Sequence, residues 1–128
     1  MKDADGCEHC WPSEAEAAWT SRLKLEQAFQ IIDESHYRVA VLKCSHCSQQ
    51  FLSVFTETID WEAGEDPMYW TLLPILESEA KCLSEGGPVS DTRLNSIGPD
   101  RRSLRHDFPK NEPKTTYWDK GVRVGVHD

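Results

Sequence analysis

With 128 residues, of which 38% are hydrophobic, the chain has material for one modest core and not for two, so residues 1–128 read as a single domain. A formal net charge of −8 argues against the common mode of nucleic-acid binding, in which Lys and Arg displace phosphate counterions, and against an anionic membrane surface. No apolar run reaches bilayer-spanning length and no charged start leads into an apolar leader, so a reducing, cytoplasmic location is expected.

The first ten residues are small and polar and end in Cys7-Glu-His-Cys10. Ser13, with Glu16 three residues later, has the form of a capping box, and Glu14 and Glu16 suit the positive end of a helix dipole. Ala15, Ala18, Trp19, Leu25, Ala28, Phe29 and Ile32 follow at roughly helical spacing. A helix over 13–33 is therefore expected, with a break near Thr20 and Ser21. Tyr37 to Lys43 is rich in β-formers, Cys44-Ser-His-Cys47 makes a tight turn, and Phe51 to Ile59 reads as the returning strand. Residues 57–66 carry five acids and no base. Met68 to Leu73 is expected as a third strand and Ile75 to Leu83 as a short helix. Gly86, Gly87, Pro88, Gly98 and Pro99 mark residues 84–100 as loop, and 101–116 are polar and punctuated by proline, so 83–116 reads as loop-rich. Tyr117 to Val126 closes the chain as a last strand or hairpin, with Asp119-Lys120-Gly121 as its turn and Val122, Val124 and Val126 alternating. The fold class is thus α+β, a small antiparallel sheet with an N-terminal helix.

The cysteines carry the clearest chemistry. Two residues between a pair of cysteines let both sulfurs face one tetrahedral ion, and two such pairs make a closed four-sulfur shell. Cys7, Cys10, Cys44 and Cys47 meet that requirement, with 33 residues between the pairs. One structural zinc per chain is expected, since zinc asks only for four suitable ligands. Iron would accept the same ligands. A thiol redox pair of the thioredoxin kind, at Cys7-Cys10 ahead of a helix, leaves the second pair unexplained. With the hairpin around Cys44-Ser-His-Cys47 and the N-terminal Cys7-Glu-His-Cys10, the chain resembles the zinc-ribbon and treble-clef group of structural zinc sites. That resemblance implies a role in stability. His9 and His46 are expected as surface side chains within the knuckles, and Cys82 as a buried small hydrophobe.

Two readings are open for Asp60, Trp61, Glu62, Glu65 and Asp66: a docking loop with an aromatic anchor ringed by charge, or a solvated turn with Trp61 folded onto the core. The only basic cluster is Arg101, Arg102, Arg105 and His106. No nucleophile elbow, phosphate loop or dinucleotide fingerprint is present, so no reaction is expected. Small size, acidity and a closed metal site point to a non-enzymatic interaction domain. The expected partner is a basic protein, such as a toxin nuclease neutralised by a bacterial immunity protein. The alternatives are a zinc-ribbon accessory factor of transcription or translation and a thiol redox protein.

Overall fold

The computed structural model describes residues 6–59, 61, 66–86, 89–110 and 112–125. Helix α1 (Ala15–Ser21) runs into a 3-10 turn at Arg22–Lys24. Strands β1 (Glu26–Glu34), β2 (Tyr37–Lys43), β3 (Gln50–Glu57) and β4 (Met68–Ile75) follow, then helices α2 (Glu77–Ser84) and α3 (Asp91–Asn95), and strands β5 (Arg102–Phe108) and β6 (Thr115–Lys120). The strands form one six-stranded antiparallel sheet in the order β1-β2-β3-β4-β5-β6, so each pairs with its predecessor in the chain. The α+β class, with an N-terminal helix and a four-cysteine cluster, is what the structure shows.

The alternation of side chains along these strands divides the core in two. One face carries Tyr37, Val39, Val41, Leu52, Val54, Leu73 and Ile75, which pack against Ala80 and Leu83 of α2, Leu94 of α3 and Val122. The other face carries Phe51, Leu72 and Leu104, covered by Cys10, Trp11 and Ala18 from the N-terminal segment. Glu79 holds the first face together. Its carboxylate accepts the Leu76 N–H at 2.7 Å, and Arg101 donates to it at 2.9 Å and also to the Pro74 carbonyl.

Several local expectations are corrected. The helix ends at Ser21, and Glu26–Glu34 is a strand. The reason lies in register shifts between Gln27 and Phe29 and between Gln30 and Ile32. Each bulge adds a residue to the strand, so its apolar side chains fall at spacings that imitate a helix. Ser13 does not cap α1: the N-cap is Glu14, with no side-chain capping bond. Ser13 instead accepts the Trp118 indole N–H on its carbonyl at 3.0 Å. Ile75 is the last residue of β4 and α2 begins at Glu77. The stretch read as loop-rich contains α3, capped by Ser90 Oγ accepting the Arg93 N–H at 3.1 Å, and the whole of β5. The last strand ends at Lys120. Gly121 turns the chain with φ +69, a left-handed conformation that suits glycine, and 122–125 lie outside the sheet. Val126 lies outside the described residues.

Candidate metal centre and acidic loop

The turn between β2 and β3 carries Cys44 and Cys47, and the segment before α1 carries Cys7 and Cys10. Each pair closes a tight knuckle. In the first, the N–H groups of Cys10 and Trp11 both donate to the Cys7 carbonyl, at 3.2 and 2.7 Å. In the second, Ser48 donates to the Cys44 carbonyl at 3.0 Å and Cys44 donates to the Gln49 carbonyl at 2.9 Å. Gly6 (φ +70) and Ser48 (φ 67) adopt left-handed backbone to make these turns. A Cβ on Gly6 would stand 2.9 Å from Cys10 Sγ, so the first knuckle has no room for a side chain there. These supporting positions were not singled out from the sequence; the glycine before Cys7 was the available signal.

The four sulfurs lie within 4.8 Å of one another. Cys7 and Cys10 are 3.7 Å apart, Cys7 and Cys44 3.9 Å, and Cys10 and Cys47 3.7 Å. A tetrahedron of sulfurs about 2.3 Å from zinc has edges of about 3.8 Å, so the shell has the right size for such an ion. The expectation that Cys7, Cys10, Cys44 and Cys47 converge is met: they are positioned to bind a metal ion. Cys10 and Cys44 are buried, Cys7 and Cys47 half-buried. Backbone N–H groups point at the sulfurs, from Cys7 to Cys10 Sγ at 3.2 Å and from His46 to Cys44 Sγ at 3.4 Å. Such donors disperse the excess negative charge that four thiolates place around a divalent ion.

Burial pushes the Cys10 and Cys47 thiols up. Burial works the same way on Cys7, but hydrogen bonds from the Cys10 and His9 backbone and from the Cys47 and Cys10 thiols outweigh it, bringing Cys7 down to about 7. His9 and His46 are exposed, as expected, and stack on each other with ring centroids 4.2 Å apart. Trp11 anchors the knuckle to the sheet, with its ring 5.2 Å from Phe51 and 4.9 Å from Trp118. Cys82 is exposed and, among the described residues, belongs to no ligand group, which corrects its expected burial: α2 turns Ala80 and Leu83 inward and Cys82 outward.

Of the acidic loop, Trp61 and Asp66 are described, and Asp60, Glu62 and Glu65 lie outside the described residues. Trp61 is 86% exposed, so its ring is not folded onto the core. Asp66 is half-buried. The basic cluster is dispersed by strand alternation. Arg101 is held by Glu79, while Arg102 stays exposed over the Trp118 ring. Arg105 is buried and donates to the carbonyls of Lys120 and Gly121. His106 is buried, stacked on Trp19 at 3.9 Å and bonded to Thr116 Oγ1 at 2.7 Å. No single surface gathers all four.

Comparison of the chain with protein-family models, with curated proteins and with solved structures gives no match. Among the described residues, no helix is long and apolar enough to cross a membrane.

Proposed function

We propose that the chain is a non-catalytic interaction domain, held by one structural zinc in the four-cysteine shell, whose acidic loop docks a basic protein partner. A toxin nuclease neutralised by a bacterial immunity protein fits this description. A closed shell of four protein ligands leaves a metal no open position for substrate, which favours a structural ion. The observation that carries the docking role is the exposure of Trp61, with 86% of its surface in solvent. That ring stands in a segment, residues 57–66, with five acids and no base. A nuclease needs a basic cleft for its phosphates, and an acidic rim around an aromatic anchor complements such a cleft.

The test separates charge from anchor. With partner isolated on the tagged, zinc-loaded chain, neutralising Glu62, Glu65 and Asp66 together should mainly slow association, and the loss should shrink as salt rises. Trp61→Ala should speed dissociation by about 30-fold, which corresponds to about 2 kcal/mol. Partner binding unchanged by both sets of substitutions would reject the loop as the docking site.

A further inference from the structure

The N-terminal segment and α1 cover one face of the sheet over Phe51, Leu72 and Leu104, and beside them, between Gln27 and Gln30 of β1 and Trp70 of β4, lies a groove of 240 Å³. Strand register explains the hollow. Ala40 and Ser53 face each other across β2 and β3, a pair of small side chains between the larger pairs Leu42–Phe51 and Arg38–Phe55. Trp70, opposite Phe55 on β4, forms the far wall. Gln27 and Gln30 of the edge strand form the near one.

Three properties define what this hollow can hold. The first is a ring without a parallel partner. Trp70 is half-buried, yet its ring neighbours meet it at steep angles: Phe55 at 44°, His106 at 59° and Trp19 at 64°. Aromatic rings gain from offset stacking as well as from the edge-to-face contact that Trp19 makes, and among the described residues no ring stacks parallel on Trp70. The second is charge. In a chain of net charge −8, the groove lining includes one cation, Arg38, and no acid. The Arg38 guanidinium lies 5.8 Å from the Phe55 ring centre and, among the described residues, no carboxylate comes within ion-pair distance of it, although Asp33 is its register partner on β1. The third is hydrogen-bonding capacity. The half-buried Ser53 hydroxyl and the Gln27 amide have no side-chain hydrogen bond within the described protein. Ligand sites combine an apolar body with a few convergent polar groups in this way.

From these we infer that the groove is a binding site for a small planar aromatic carboxylate, with the ring against Trp70 and the carboxylate on Arg38. A single guanidinium matches one carboxylate with two parallel N–H···O bonds, whereas a phosphate dianion would leave charge and acceptors unmet. The volume is below the roughly 300–1,000 Å³ of sites for drug-sized ligands, which limits the occupant to one or two fused rings.

The zinc-loaded full chain, titrated with 2-naphthoate and followed by amide and indole NMR shifts, tests this. Saturable shifts are expected at Arg38, Ser53, Phe55 and Trp70. Two control ligands, 2-naphthalenemethanol without the charge and cyclohexanecarboxylate without the aromatic ring, should each bind at least ten-fold more weakly. Arg38 is exposed, so Arg38→Gln reaches the site without disturbing the core. It should weaken 2-naphthoate at least ten-fold and leave 2-naphthalenemethanol unchanged. Ser53→Val, which fills the hollow, should weaken both aromatic ligands. Shifts that do not saturate at millimolar 2-naphthoate, shifts centred elsewhere, or an Arg38→Gln protein that binds 2-naphthoate as well as the parent would each overturn the assignment.

Discussion

Cys44→Ser probes the four-cysteine shell through a sulfur that is buried and lies 3.9 Å from Cys7 Sγ. Three of the six sulfur separations are 3.7–3.9 Å, and a regular tetrahedron with such edges, at an edge-to-radius ratio of about 1.63, would hold an ion about 2.3–2.4 Å from each sulfur. X-ray absorption of the purified protein should therefore report one zinc per chain with four sulfurs at that distance. Cys44→Ser removes one ligand and leaves three, so the metal should be lost under mild chelation. Zinc binding by structural sites is worth about 10–16 kcal/mol near neutral pH, as much as the whole stability of an ordinary domain, about 5–15 kcal/mol. Cys10, Trp11 and Cys44 also share one core cluster with Phe51, Leu72 and Leu104. Freed of metal, the segment bearing Trp11 and α1 should detach from that face first. Circular dichroism should show the cooperative thermal transition lost or displaced by tens of degrees. Hydrogen exchange should rise at Phe51 and Leu104 before it rises at Val39 and Leu73, which sit in the other cluster. A metal-free Cys44→Ser protein that keeps its full transition, or a metal with fewer than four sulfurs, would refute the reasoning.

Three further outcomes are expected. Trp61→Ala should barely alter the stability of the isolated protein: the buried 14% of a ring of about 250 Å² is about 35 Å², worth at most about 0.9 kcal/mol in a denaturant titration. Ser13→Ala should be neutral within about 0.5 kcal/mol by the same measurement, because its side chain caps nothing, whereas Ser90→Ala should cost about 1 kcal/mol through the lost bond to the Arg93 N–H. Burial, reinforced by Arg22, holds the His106 pKa below its ordinary value. The folded state therefore favours the neutral ring; the stability this gives is complete above about pH 6.5 and is lost as pH falls from there through the folded pKa. His106→Phe should flatten the fall in melting temperature below pH 6.5, and an unchanged slope would show that other groups set it.

Much of the four-cysteine cluster was legible because ligand chemistry is written in residue type and short spacing: two cysteine pairs with two intervening residues leave few alternatives. The hairpin around the second pair was equally plain, since Tyr37 to Lys43 is dense in β-formers. Elsewhere local pattern misled for identifiable reasons. The bulges of β1 gave Phe29 and Ile32 a helical spacing. Strand β5 was hidden because it buries Ser103, Arg105 and His106, polar side chains that count against a strand until their partners in the Gly121 turn, Trp19 and Thr116 are brought near. Cys82 was misplaced because the phase of a two-turn helix is set by what it packs on. The groove depends on the register that aligns Ala40 with Ser53, which no local reading of either strand supplies.

The consecutive strand order also bears on how the chain acquires its shape. Every strand neighbours the one made just before it, so the sheet can extend one strand at a time, and pairings between near neighbours in the chain close quickly. Some links reach further, among them the β4–β5 pairing, which joins residues up to 40 positions apart, the Trp118–Ser13 bond, between residues 105 apart, and the cysteine cluster, between residues 37 apart. The cluster needs nothing beyond the turn after β2, however, and can close during synthesis once Cys47 has left the ribosome. A metal captured at that stage would fix the N-terminal segment over the first hairpin while β4 to β6 are still to come. The slow step would then be the return from β4 to β5, where α2 and α3 must settle on the far face before Leu104 can find Leu72.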